Sequence, residues 1–280
     1  VPDGSFWGHL PRDAGFTLPE RHLGLVPTQE LADAGQRLDA VADALARTRL
    51  GQLPWSDDAG SPSWQDWAVD FADPQLPAAP PLLQGQTIAI ARDAALCFVY
   101  QANLDTLQAM GAELRFFSPL ADEPLPACDA LWLPGGYPEL HADTLARATR
   151  TRDSVAAHIA AGKPVWAECG GMLLLMESVT LKDGSRHPLW GLLPGSVALQ
   201  PRLVALGSQQ LDWGHGILRG HTFHYSRCDT PLPVLAYSSR PDRTEPVEAL
   251  YGQGSVLASY YHAWFASCPQ ATATLFQGKA

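Results

Sequence analysis

Positive charge is scarce in this 280-residue chain: 19 lysines and arginines stand against 29 aspartates and glutamates, a formal charge of −10 with a pI near 5.3. Nucleic-acid binding needs clustered Lys and Arg to neutralise phosphates, and no such cluster occurs, which argues against nucleic acid as a partner. No run of about 18 apolar residues is present, and the N-terminus lacks the basic-then-apolar pattern of a secretion signal. Neither a membrane span nor export is indicated, and the cytoplasm is the expected compartment. Cysteine is sparse too. Cys97, Cys128, Cys169, Cys228 and Cys268 are odd in number, widely spaced and without a CxxC pair, which disfavours a disulfide framework and a zinc site alike. There is no internal repeat and no GxxxxGK[ST] phosphate loop, Gly162-Lys163 running straight into Pro164.

What the chain does have is apolar bulk. Apolar residues make up 46% and charged residues 17%, enough for a sizeable core, and the length suggests one full domain plus a substantial further segment. Residues 1–50 read as loops followed by a helix, with Thr28 as N-cap and Leu31, Leu38, Val41 and Leu45 at helical spacing. Residues 51–84 are rich in proline and tryptophan and show little periodicity, the signature of a linker lying on a surface. From residue 85 to 280 the pattern changes. Strands are expected at 87–91, 113–117 and 130–133, a helix at 103–110, and a longer helix at 140–161 ended by Gly162 and Pro164. A strand then runs into Cys169. This alternation predicts an α/β fold, an open and mostly parallel sheet flanked by helices. After Leu189 the expected strands are shorter: 196–199, 221–225, 234–237, 247–250 and 255–260.

The stretch with the most chemistry in it is Val165-Trp166-Ala167-Glu168-Cys169-Gly170-Gly171-Met172. An apolar strand meets a cysteine, two glycines and a helix-like run, as where a nucleophile is presented on a sharp strand-to-helix corner. Such a corner tolerates little bulk, hence Ala167 and Gly171 on either side. The Gly170 amide would face the substrate, and the helix start would favour a thiolate. A buried structural cysteine is the competing reading of a lone Cys; the flanking pattern tips the balance. A nucleophilic cysteine needs a base, and His262, following Val256-Leu257-Ala258-Ser259-Tyr260-Tyr261, stands where a late strand could return beside the corner. His221 and His224 in Gly220-His221-Thr222-Phe223-His224-Tyr225 read as packing or substrate-edge residues rather than metal ligands. Leu133-Pro134-Gly135-Gly136-Tyr137-Pro138-Glu139 ends a buried strand in paired glycines, whose amides can approach a ligand and supply an oxyanion donor.

In this order these residues resemble the glutaminase domain of class I glutamine amidotransferases, a flavodoxin-like fold, in its cobyrinic acid a,c-diamide synthase branch. The runs that carry the resemblance are Ile88-Ala89-Ile90-Ala91-Arg92-Asp93-Ala94-Ala95-Leu96-Cys97-Phe98, 116–126, Pro134-Gly135-Gly136-Tyr137-Pro138-Glu139-Leu140-His141 and Gly220-His221-Thr222-Phe223-His224-Tyr225-Ser226. It covers about 85 to 265, and 19–25 resembles the end of the ATP-dependent synthetase domain that precedes the glutaminase in this family. The resemblance implies Cys169 as nucleophile, His262 as proton carrier, and Gly136 and Gly170 as oxyanion donors with Gly135 beside them. Glutamine and cobyrinate or hydrogenobyrinate are the implied substrates, with ATP and Mg2+ entering only through the synthetase domain and a homodimer left open. Residues 1–50 would then be a remnant of that domain and the chain a C-terminal portion of a longer protein, with Arg21 and His22 as possible remnants of its ATP or corrinoid face. An amidotransferase for cobyric acid or nickel-sirohydrochlorin, and a docking domain without turnover, are the alternatives. One departure matters. Trp264 occupies the place two residues after the histidine where many class I enzymes carry a glutamate, so Cys169 and His262 act as a pair, or an acid such as Glu248 orients the imidazole.

Overall fold

The computed structural model describes residues 6–21, 24–26, 30–52, 79–243 and 245–278. The chain divides into two compact units, Val1–Gln75 and Leu76–Ala280. In the first, the two-residue strands Glu20–Arg21 and Gly24–Leu25 pair antiparallel, and a helix spans Ala34–Ala46. Arg37 pairs with Asp33 one turn before it at 2.8 Å. The expected helical period is present, yet Leu38 and Leu45 are exposed and Ala44 is the buried residue. Thr28, His22 and most of the expected linker lie outside the described residues. The packing of the second unit begins upstream of its first strand: Leu83 is fully buried and its amide donates to Met110 O at 2.9 Å.

The second unit is built on a ten-stranded sheet. From one edge the strands are Glu113–Phe117, Thr87–Ala91, Ala130–Leu133, Val165–Glu168, Val256–Ser259, Pro246–Gln253, Val234–Ser239, Ala205–Leu211, Leu218–His224 and His262–Ala263. The first five strands run parallel and the remaining pairings are antiparallel. The α/β class is as expected, but the sheet is mixed. The reason is the length of the connections. Parallel neighbours need a crossover of a dozen or more residues, whereas Pro246–Gln253 and Val256–Ser259 are joined by a two-residue turn that only an antiparallel hairpin can make. A smaller four-stranded sheet holds Ser226–Asp229, Ser196–Leu199, Ser178–Thr180 and Arg186–Pro188.

The four inner parallel strands, Thr87–Ala91, Ala130–Leu133, Val165–Glu168 and Val256–Ser259, are buried on both faces, and their side chains alternate between two cores, while the edge strand Glu113–Phe117 is largely exposed. Ala89, Ala91, Leu131, Leu133, Val165 and Ala167 face one side with Met172 to Met176. Ile88, Ile90, Trp132 and Trp166 face the other with Leu104, Leu107, Leu275 and Phe276. The helix expected over 140–161 is broken into a 3-10 turn Pro138–His141 and two helices, Ala142–Arg147 and Thr149–Ala160. Ala148, with ψ 65, interrupts it. Asp122, far away in sequence, accepts the Thr151 amide at 3.0 Å and so caps the second helix from outside. The C-terminal helix Pro269–Gln277 starts on a proline and stops at Gly278 with φ 65, a stop and start that the sequence analysis did not use.

Candidate active site

Cys169 follows the strand Val165–Glu168 and precedes the helix Gly170–Leu175. Its backbone has φ 42 and ψ −104, a region that side-chain-bearing residues avoid because Cβ crowds the backbone. The corner is over-determined from its surroundings. The Cys169 amide donates to Ser259 O at 2.7 Å, and Leu173 N closes the first helical turn on Cys169 O at 2.9 Å. A Cβ at Gly171 would lie 2.1 Å from Leu133 O, so glycine is required there. A Cβ at Gly170 would lie 2.7 Å from Gly136 N. The backbones of the two proposed oxyanion donors are therefore in contact.

His262 stands on the other side of the same glycines. A Cβ on Gly135 would come 2.3 Å from His262 Cε1 and 3.2 Å from a Phe98 ring carbon, and Phe98 N donates to Gly135 O at 3.0 Å. The short strand His262–Ala263 pairs antiparallel with Leu218–His224, with His221 directly opposite His262. Their rings stack at 5.0 Å between centroids and 16° between planes. One residue on, Ala263 N donates to Glu168 Oε1 at 3.1 Å. The neighbour of His262 is thus tied to the neighbour of Cys169. Glu168 also accepts from Trp166 Nε1 at 2.8 Å; Trp132 Nε1 approaches the same carboxyl without a hydrogen bond of normal geometry.

The Cys169, Glu168 and His262 side chains are buried, and their electrostatics follow from that. Burial, followed by the nearby Glu139, pushes the Cys169 thiol well up, while the Gly170 amide pulls it down. Burial, with His221 and His224, pushes His262 down to about 3. Burial raises the Glu168 carboxyl to about 7 against the Ala263 amide and the Trp166 indole, with Trp132 nearby. Burial thus pushes both the thiol and the imidazole toward their neutral forms. The expectation of a thiolate favoured by the helix start is corrected here: the helix has six residues, and burial among carboxylates outweighs its single close amide.

The structure brings Cys169, His262, Gly135, Gly136 and Gly170 to one place. Glu248 is committed elsewhere, accepting from Thr222 Oγ1 at 3.0 Å and facing His224 Nε2 at 2.9 Å. His262 Nδ1 has no hydrogen-bond partner. His224 Nδ1 meets the Ser226 carbonyl at 2.9 Å, and its ring lies on Tyr260 at 3.8 Å. Both its nitrogens therefore face oxygen atoms. Tyr100, Phe98 and Glu168 escaped sequence reasoning as site residues. The signal for Glu168 was its charge inside an apolar strand that is buried throughout.

The sequence pattern of the CobB/CobQ-like glutamine amidotransferase domain matches residues 87–269. The chain belongs to this family. Among curated relatives of this amidotransferase chain, the hydrogenobyrinate a,c-diamide synthase of Stutzerimonas stutzeri (strain A1501) is 49% identical over 278 residues, covering 99% of this chain and 62% of that protein. The cobyrinate a,c-diamide synthase of Herminiimonas arsenicoxydans is 47% identical over 260 residues, covering 92% and 57%. The chain thus spans 57 to 62% of the length of these relatives. Among solved structures, a glutamine amidotransferase covers 67% of this chain and 93% of its own at a TM-score of 0.45 and 24% identity, too loose a match to inform the site.

Proposed function

We propose that this amidotransferase chain hydrolyses glutamine through Cys169 and His262 and, within a longer protein, supplies ammonia for amidation of the a and c carboxylates of cobyrinate or hydrogenobyrinate in cobalamin biosynthesis. The observation that carries this reading is the meeting of four elements on one pair of glycines. The strained Cys169 corner abuts Gly136 through Gly170, and the His262 ring abuts Gly135.

The chemistry follows from that arrangement. As Cys169 Sγ bonds to the side-chain amide carbon of glutamine, its proton passes to His262 and the carbonyl oxygen becomes an oxyanion. The Gly136 and Gly170 amides donate to that oxygen, each such donor being worth about 3 kcal/mol in comparable sites. Collapse breaks the C–N bond, with the proton on His262 going to the departing nitrogen, and leaves a thioester. Water then attacks the thioester while His262 takes its proton. The C–S bond breaks, and glutamate and the thiol are restored.

ATP and Mg2+ belong, on this reading, to the part of the longer relatives that this chain does not span. Among the described residues no group of three His, Cys, Asp or Glu side chains is placed to hold a metal, and no phosphate loop occurs in the sequence; no step above runs through either. No described helix is long and apolar enough to cross a membrane. The test is ammonia release from glutamine by the chain and by Cys169→Ala and His262→Ala. Loss of at least about 1000-fold in the cysteine variant is expected, and turnover that persists in it overturns the assignment.

A further inference from the structure

We propose that His221, pinned by the Tyr100 hydroxyl, is the group that positions the His262 imidazole, replacing by ring stacking the carboxylate that orients the histidine in a three-residue site. The inference rests on Cys169 and His262 being the reacting pair. Its starting point is an orphan: His262 is 3% exposed and Nδ1 has no partner. In a nucleophile–base–acid arrangement that nitrogen would be held by an acid, which fixes the tautomer and the ring plane. Here the position two residues on is Trp264, 45% exposed, and Glu248 is occupied by His224 and Thr222.

Something else must stop the ring from turning about its χ angles, and the packing shows what does. His221 lies opposite His262 across the antiparallel pair, the register at which facing side chains approach closest. The rings are 16° from parallel at 5.0 Å, within the range of offset stacking. Phe98, 6.2 Å away and tilted by 54°, and the backbone of Gly135 close the other sides. His221 is itself fixed. Tyr100 Oη lies 3.2 Å from His221 Nε2, with the ring edge-on to it at 5.9 Å. Burial lowers the proton affinity of His221 and keeps the Tyr100 phenol protonated, so the hydroxyl donates to a neutral imidazole. Tyr100 lies near enough to Cys169 and Glu168 for their charges to act on it. A single chain of contacts thus runs from the mouth of the site through two stacked rings to the base.

The test compares His221→Leu, His221→Phe and Tyr100→Phe in the full chain, measuring glutamine hydrolysis and the rate at which a diazo-ketone glutamine analogue alkylates Cys169. His221→Leu, which removes the ring, should lower kcat and the alkylation rate by about 30-fold with KM within about twofold, as expected for lost orientation rather than lost binding. His221→Phe keeps a flat ring and should recover to within about threefold of the parent. It should also move the acid limb of kcat/KM to higher pH, because His221 is one of the groups that hold the proton affinity of His262 down. The titratable groups around His262 are His221, His224 and Glu248 from neighbouring strands, Glu168 and Cys169 from the corner, and Tyr100. Tyr100→Phe should lose about three- to fivefold in kcat. A merely structural role would lower the melting temperature of His221→Leu and leave both the pH profile and kcat of the folded fraction where they were. Parent-like kcat and pH profile in His221→Leu or, should that variant not fold, in Tyr100→Phe and His221→Phe together overturns the proposal while Cys169→Ala remains inactive. Turnover in Cys169→Ala overturns the underlying reading as well.

Discussion

Cys128 Sγ sits 3.7 Å from Nδ1 of His158, both residues buried, and by contact alone this couple looks like a nucleophile with its base, as Cys169 and His262 are proposed to be. Burial acts on the two couples in the same direction, raising both thiols and lowering both imidazoles. Local charge would even select the wrong one: Lys163 stands by Cys128, with Nζ on its carbonyl at 2.7 Å, while Glu139, Glu168 and Glu248 surround Cys169. The difference lies in backbone and in spare valence. His158 donates Nε2–H to Pro164 O at 3.1 Å, which leaves Nδ1 as the acceptor for the Cys128 thiol, and every polar atom of the couple is used internally. Cys169 is one of only two described non-glycine residues with positive φ, its neighbour Gly170 abuts Gly136 N, and its proposed base His262 has Nδ1 without a partner. A cysteine beside a histidine is a packing motif; strain, amides and an unspent valence make it a site.

The contrast can be broken most directly by alkylation. A glutamine-mimicking diazo-ketone should modify Cys169 at least about 100-fold faster than Cys128, read by mass spectrometry of the labelled peptides. Comparable labelling of Cys128 would erase the distinction. A smaller effect sharpens it from the other side. Cys128→Ala removes a buried sulfur and its hydrogen bond, so the unfolding free energy in urea should fall by about 2 kcal/mol with glutamine hydrolysis within about twofold of the parent. A large loss of hydrolysis would give the Cys128 couple a part in the chemistry.

The smallest expected effect concerns the carboxyl that only the Cys169 couple has beside it. Glu168 holds its proton in the folded chain up to about pH 7, against an ordinary value of 4.5. Between these values the unfolded chain has ionised this group and the folded chain has not, so its contribution is present below 4.5 and lost as pH rises through 7. Glu168→Gln should flatten the pH dependence of stability across pH 5 to 7 by on the order of 1 kcal/mol, seen in urea midpoints at the two ends. A slope unchanged by the substitution would mean that Glu168 is ionised throughout.

Much of this was legible beforehand. The strands Thr87–Ala91, Glu113–Phe117 and Ala130–Leu133 fall where apolar period and length place them; for the first and third the pattern is a local consequence of burial on both faces. The corner was legible because a strand, a cysteine and two glycines are contiguous. The antiparallel half was legible in part: the strands expected at 221–225, 234–237 and 247–250 are present as Leu218–His224, Val234–Ser239 and Pro246–Gln253, whereas Ala205–Leu211, with mixed burial, takes its identity from its partners. The break at Ala148 was hidden for a similar reason. Nothing local demands it, and Asp122 supplies the cap from a distant loop.

By itself the sequence determined which residues carry reactive groups and where paired glycines follow a strand, because these are properties of the residues and of their order along the chain; the clash that requires glycine at position 171 comes from the distant Leu133 O. Only the tertiary structure decided what surrounds His262. His221 reaches it from 41 positions upstream through strand register, Tyr100 fixes His221 from a further 121, and Glu168 ties Ala263 to the corner across 95. Contacts at such separations are set by which faces must be buried together and by which strands can pair once they are, and no short stretch of residues encodes either.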